Sequence, residues 1–252
     1  MSVRLRTGVL TDLGLIRSNN EDAVHAGERL LAIADGIGGA PAGELASEIV
    51  IQALTALEET VHAGTVLDDL RTALDGANRQ IAEAIEQDPA RLGMGTTVTA
   101  LLVVDDRLAL IHVGDSRAYR LRAGVLSRLT RDDTFVQELV DREVLSAEEA
   151  RNHPQRSIIT QAVQGGEFIA AATILTPEHG DRYLLCSDGL SDYVTDGAIE
   201  HAMTLCPDPQ QAAERLVRLA LQAGAPDNVT VVVSDVGLVD EPARAADLSD
   251  VR

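Results

Sequence analysis

The chain has 252 residues and a formal net charge of −19, from 40 acidic side chains against 21 basic ones, all of them arginine. That balance argues against nucleic acid and against an anionic membrane as partners. An apolar content of 45% supports a real core, and 2% aromatics with no tryptophan make that core aliphatic. At this length one large domain or two small ones are expected. Cys186 and Cys206 cannot make a disulfide framework, and a reducing compartment is expected. Residues 1–10 hold two arginines and no apolar run of signal-peptide type, and no stretch approaches 18 apolar residues. The expectation is a cytoplasmic monomer without a membrane span.

In chain order, 9–12 reads as a short strand, 15–22 as a polar loop and 30–34 as a strand buried on both faces. Leu45, Ile49, Ala53 and Leu57 fall four apart and predict a helix over 43–57. A second stripe predicts a helix over 67–85, stopped ahead of Pro89. The middle turns to strand: 96–104, 107–113 after Asp105-Asp106, and a hairpin of 117–121 with 125–129 through Ala123-Gly124. Short helices are expected at 135–141 and 147–152, strands at 168–175 and 182–186, helices at 196–205 and 209–222, and a last buried strand at 228–236. Residues 1–238 make the domain, and 239–252 read as an acidic flexible tail. Hairpin-linked strands with helices in separate groups mean antiparallel sheets covered by helices, hence an α+β fold.

Three apolar runs end in aspartate: Leu30 to Asp35-Gly36, Tyr183 to Asp188-Gly189, and Ala109 to Gly114-Asp115. Asp227 precedes the last strand, and Asp22 sits in the loop before the strand at 30. An isolated Asp-Gly is usually a turn. Recurrence after buried strands instead points to carboxylates converging on a hard cation. Carboxylates sharing one site cannot all ionise unless cations compensate them. An all-oxygen set suits Mg²⁺ or Mn²⁺, and no His-x-x-x-His, Cys pair or Asp-x-Asp calcium loop competes. Two such ions about 3.5–4 Å apart bridge and acidify a water. Arg17 supplies a fork for phosphate, unless it only balances Glu21 or Asp22. The chemistry these groups suit is hydrolysis of a phosphate ester by a metal-bridged water.

The motifs, in order, are Thr11-Asp12-Leu13-Gly14 through Arg17 to Asn20-Glu21-Asp22; Asp35-Gly36-Ile37-Gly38-Gly39 with Gly43-Glu44 and Ala46-Ser47; Gly93-Met94-Gly95-Thr96-Thr97; Gly114-Asp115-Ser116-Arg117; His153-Pro154-Gln155-Arg156; Ser187-Asp188-Gly189-Leu190; and Asp227-Asn228-Val229-Thr230. Together they resemble the metal-dependent Ser/Thr protein phosphatases of type 2C, in their bacterial branch. Residues 132–137 are similar to the catalytic domains of actinobacterial housekeeping Ser/Thr phosphatases.

The resemblance implies a four-layer αββα sandwich of two antiparallel sheets flanked by helix pairs. It implies that Asp35 bridges two catalytic ions, that the Gly36 carbonyl binds one, and that Asp188 and Asp227 hold the other. Asp22 would orient bound water, and Asp115 would anchor a third ion shared with Asp188, with Ser157 nearby. Arg17 would clamp the substrate phosphate, and 145–159 would form a flap. The implied activity is dephosphorylation of phosphoserine and phosphothreonine in proteins, opposing bacterial Ser/Thr kinases. One place departs from the pattern: bacterial members usually carry His after the double glycine, where this chain has Ala40. That substitution raises the alternative of a weakly active phosphoprotein-binding pseudophosphatase. A phosphatase dedicated to one regulator in a partner-switching pathway is the other alternative. Of the remaining candidates, His112 reads as a satisfied core histidine, His153 as a flap-base residue and Asp192 as a cap or solvated side chain.

Overall fold

The computed structural model describes residues 2–37 and 42–239. Ala40 and the preceding glycine pair, Gly38-Gly39, lie outside the described residues, as do tail residues 240–252.

The chain begins with β1 (Ser2–Asp12), β2 (Asp22–Ala26) and β3 (Leu30–Ile37), followed by helices α1 (Ala42–Thr55) and α2 (Val66–Gln87). After a 3₁₀ turn at Pro89–Arg91 come β4 (Gly95–Thr96), β5 (Val98–Val104), β6 (Arg107–Val113), β7 (Arg117–Arg122) and β8 (Val125–Arg128). Short helices α3 (Phe135–Asp141) and α4 (Ala147–Arg151) lead to β9 (Ala171–Leu175) and β10 (Arg182–Cys186). The chain then runs through α5 (Asp188–Ser191), α6 (Asp196–Leu205), α7 (Pro209–Gln222) and β11 (Val229–Val239).

The strands form two antiparallel sheets. One has the order β1-β11-β10-β7-β8, and the other β2-β3-β5-β6-β9 with β4 added to β3. The strand period of two sorts side chains into layers. Leu30, Ala32 and Ala34 of β3 pack with Ala46, Val50 and Leu54 of α1 and Leu70, Leu74 and Ile81 of α2. Their neighbours Leu31 and Ile33 face the other sheet, against Tyr183, Leu185 and Val232. On the far side, Leu184, Val231 and Val233 meet Ile199 and Met203 of α6 and Leu216 and Val217 of α7. Three apolar layers therefore separate four layers of structure, α1/α2, sheet, sheet and α6/α7, which is the expected αββα sandwich.

Several boundaries differ from the sequence expectation: β9 starts at Ala171 rather than 168, and α1 ends at Thr55 rather than 57. β1 spans Ser2–Asp12 rather than 9–12, because it pairs along its whole length with β11, from Ser2↔Val239 to Asp12↔Val229. As an edge strand it carries Arg4 and Arg6, so only its end reads as apolar. β2 starts at the last residue of the stretch read as loop, 15–22, and runs through 23–26, where no element was expected, since its five residues gain their strand partners from β3. β11 runs through Val239, one residue into the stretch assigned to the tail. Helix starts follow local chemistry. Asp208 caps α7 by accepting from the Gln210 and Gln211 amides with Pro209 in the first turn, and Ser146 and Glu149 form a capping box on α4.

Candidate metal centre

The layer alternation that builds the core also places the acids. Continuing Leu31 and Ile33 by two residues puts Asp35 on the inter-sheet face, at the rim where β3 leaves the core. Asp22 of β2 lies directly opposite Asp35 in register. From the other sheet, Ser187 continues the face of Tyr183 and Leu185, and Thr230 that of Val232. Both hydroxyls donate to one oxygen of Asp22, Oδ2, at 2.9 Å from Ser187 and 2.6 Å from Thr230. Asp22 thus ties the two sheets together at the rim. Its second oxygen, Oδ1, is buried and has no hydrogen-bond partner.

Asp188 opens α5 immediately after β10, Asp227 precedes β11, and Asp115 follows β6 after Gly114. Burial pushes Asp35 well above the usual carboxylate range, and the charges of Asp22, Asp188, Asp115 and Asp227 push it further. Asp188 is raised in the same way, by burial and then by Asp115, Asp192, Asp227 and Asp22. Burial, with the charge of Asp227 adding to it, raises Asp22 to about 6 despite the two donated hydroxyls. Asp115 reaches about 7 through burial and the charges of Asp132 and Asp192. All five sequence-predicted aspartates therefore share one electrostatic neighbourhood. Among the described residues no three acidic, histidine or cysteine side chains are grouped closely enough to hold a metal ion between them. Arg17 holds Asp227 with Nε 2.8 Å from Oδ1 and Nη2 2.9 Å from Oδ2.

The donor set fits hard divalent cations. It is all oxygen, its members cannot ionise together without positive charge, and Asp22 Oδ1 is a buried acceptor left without a donor. Asp35, the Gly36 carbonyl, Asp188, Asp227 and Asp115 are the residues that would hold such ions. Gly36 belongs there for steric reasons, since a Cβ would lie 2.4 Å from the Gly43 carbonyl oxygen and 2.6 Å from that of Glu21. The backbone beside it is fixed by Thr97, whose amide donates to the Asp35 carbonyl at 2.9 Å.

Sequence reasoning missed the supporting residues. Glu21 is buried; its amide donates to Asn228 Oδ1 at 2.8 Å, and its carbonyl accepts from Ser47 Oγ at 2.7 Å and from the Gly36 amide at 3.2 Å. Asn228 also donates to the carbonyls of Leu13 and Asn19. Ser187, Thr230 and Asn228 lie inside the motifs already quoted, so their positions were legible but their partners were not. Ser157 is exposed and has no side-chain hydrogen bond among those formed by the described residues. Asp192 is the C-cap of α5, its amide donating to the Asp188 carbonyl at 2.9 Å, and its side chain is not free in solvent: Arg156 Nε contacts its Oδ2 at 3.1 Å and so ties the 145–159 segment to α5. A cavity of about 220 Å³ opens beside this contact, with Asp115, Arg117 and Ser191 in its wall. His112 bonds Thr99 Oγ1 at 2.9 Å and the Arg131 carbonyl at 3.0 Å, a satisfied core histidine, and His153 accepts from the Gln155 amide.

Comparison with known proteins agrees with this geometry. The family model described as protein phosphatase 2C matches residues 17–222. The Ser/Thr protein phosphatase PstP of Mycobacterium tuberculosis is 52% identical over 232 residues, which cover 92% of this chain and 45% of that protein. This chain thus spans about half the length of that relative. The protein phosphatase PhpP of Streptococcus pneumoniae is 36% identical over 250 residues, covering 95% of this chain and 100% of that protein. Among solved structures, the M. tuberculosis phosphatase PstP/Ppp superposes with a TM-score of 0.89 at 51% identity, covering 92% of this chain and 98% of that one. The PstP catalytic domain in complex with two manganese ions gives a TM-score of 0.87 at 49% identity, covering 93% of this chain and 99% of that one. On the matched motifs, the sandwich and the carboxylate rim together, the chain belongs to the protein phosphatase 2C family.

Proposed function

We propose that this chain hydrolyses phosphoserine and phosphothreonine in proteins, with Mn²⁺ or Mg²⁺ at the carboxylate rim. The observation that carries the reading is Asp22 directly opposite Asp35 and fixed from the other sheet by Ser187 and Thr230, with Asp115, Asp188 and Asp227 in the same electrostatic neighbourhood. Two divalent ions, when bound, supply the Lewis acidity that polarises the phosphate and acidifies the attacking water. Asp35, the Gly36 carbonyl, Asp188 and Asp227 would hold them, and Asp115 with Asp188 would hold a third.

The protein's own groups do the rest. Ser187 and Thr230 fix Asp22 through Oδ2, leaving Oδ1 free to accept a hydrogen bond from the attacking water and to orient it. The Arg17 fork already grips two oxygens of a carboxylate, and the same geometry grips two oxygens of a phosphate. Substrate phosphate at Arg17 frees Asp227 for its role as a ligand. The partners under this reading are phosphoproteins made by Ser/Thr kinases. The cytoplasm is the compartment it places them in, supported by the free thiols of Cys186 and Cys206.

The test is release of inorganic phosphate from a phosphothreonine peptide. The expected result is turnover with Mn²⁺ and none after exhaustive chelation. Full turnover in the chelated sample would contradict the reading.

A further inference from the structure

Directly before Arg17 the chain exposes three large apolar side chains within four positions: Leu13, Leu15 and Ile16, with 43%, 61% and 77% of their surface open to solvent. Single exposed apolar residues are ordinary. What distinguishes these is that the backbone carrying them is pinned inward. The Gly14 amide donates to Asp12 Oδ1 at 2.8 Å, the Leu15 amide to the Ala225 carbonyl at 3.0 Å and the Ile16 amide to the Pro226 carbonyl at 3.1 Å. Asn228 holds the Leu13 carbonyl at 3.2 Å. Gly14 has φ +72°, and a Cβ there would lie 1.9 Å from the Asp227 carbonyl oxygen, so the turn is stacked on the segment that carries Asp227. With its polar groups satisfied on that side, the turn has no means of folding its apolar side chains away.

We propose that Leu13, Leu15 and Ile16 form the contact for apolar side chains that flank the phosphorylated residue of the substrate. This inference rests on the phosphatase reading and on Arg17 as the phosphate clamp. The surface is continuous with that clamp: Ile16 and Arg17 are adjacent residues, and Arg17 remains 46% exposed in its side chain. A peptide held by its phosphate at Arg17 therefore carries its neighbouring side chains across this turn. Charge favours the same occupant. On a chain of net charge −19, positions 13–16 are uncharged and position 17 is a cation, so an apolar flank meets complementary surface while an acidic one meets general repulsion. A pinned turn also has little freedom left to lose on binding.

The test compares two phosphothreonine peptides of equal length and charge, one flanked by Leu and Val and the other by Ser, with Mn²⁺, on the parent chain and on Leu15→Ser/Ile16→Ser. The parent is expected to favour the apolar-flanked peptide about tenfold in kcat/KM, mostly through KM. In the variant, folded by its melting temperature, the ratio falls to near one. Equal rates for both peptides in the parent, or a parental ratio kept by the variant, would overturn the inference alone. A chain that turns over neither peptide nor 4-nitrophenyl phosphate overturns the phosphatase reading together with it. Sedimentation of both proteins covers the other occupant: a parental dimer that the variant loses would make the turn a self-association surface and overturn the assignment to substrate.

Discussion

Arg17 and Asp227 stand 210 residues apart in sequence and form a two-pronged ion pair at the mouth of the site, 2.8 and 2.9 Å long. The pair joins the residue expected to clamp phosphate to one expected to hold a cation. The hydrogen bond to Asp227, with the charge behind it, also raises the Arg17 pKa further, so the guanidinium stays charged throughout the working range.

Because both partners are more than a third exposed, 46% and 37%, the pair contributes little to stability. Arg17→Ala is expected to shift the melting temperature by no more than about 3 °C. KM for phosphate esters is expected to rise at least tenfold, with a smaller change in kcat. A large loss of stability with KM unchanged would make the arginine a structural residue only.

The carboxylate rim sets a pH dependence. Asp22, Asp35, Asp115 and Asp188 all bind protons more tightly folded than unfolded, with Asp22 at about 6 and Asp115 at about 7. Folding therefore takes up protons in this range, and the metal-free protein loses stability as pH rises from about 4 to about 7. On the acid side, Asp181 with Arg122 and Asp235 with Arg182 are held below the usual range against the cost of burial. Their stabilisation is present above the ordinary carboxylate pKa and is lost as pH falls below it. Melting temperatures of the metal-free protein should thus peak at mildly acidic pH. At pH 7.5 Mn²⁺ at about a hundred times its dissociation constant should raise the melting temperature by roughly 5–10 °C. A metal-free melting temperature that climbs from pH 5 to 7.5 would contradict this account.

The sequence carries Asp35 and Asp188 openly, because each ends an apolar strand and the period of two decides which way it faces. Antiparallel sheets covered by helices were legible from the order of the elements, and the four-layer αββα arrangement was implied by the resemblance to the family. The partners of Asp22 were not: Thr230 lies 208 residues away in sequence and Ser187 lies 165 away, and only the packing of one sheet on the other brings them together. β2 was missed because Asp22–Ala26 owes its strand to β3 rather than to its own composition. Arg17 read as a phosphate clamp, with Glu21 or Asp22 as its alternative partners by proximity in sequence; its actual partner, Asp227, was not legible, because it takes the folding of loop 13–16 onto 225–227 to deliver the arginine there.

Those two hydroxyls give a third expectation. Ser187→Ala with Thr230→Val removes both donors from Asp22 Oδ2 and leaves the chain otherwise filled. Loss of orientation at Asp22 should lower kcat about tenfold or more with KM little changed. Stability should fall by about 1–3 kcal/mol for the polar groups left unpaired. Unchanged kcat would remove Asp22 orientation from the account.

Gly36 tests the rim by sterics alone. Gly36→Ala places a Cβ against the backbone of Gly43 and Glu21, which is not the flexible end of any side chain. A loss of about 3 kcal/mol is expected, read as a fall in melting temperature of roughly 6–12 °C. Gly166→Ala, where nothing lies within 4 Å, should stay within about 0.5 kcal/mol of the parent. Equal stability of the two variants would show that β3 does not need its close approach to α1.

The central claim is that Asp35, raised by burial and by four neighbouring carboxylates, is the residue around which divalent cations assemble. Calorimetric titration of Mn²⁺ into the metal-free parent and Asp35→Asn, with melting temperatures to confirm that both are folded, measures this directly. At least two binding equivalents are expected in the parent, and loss of that pair, with a weakening of tenfold or more, in the variant. The same number of ions bound with the same affinity by Asp35→Asn would contradict it.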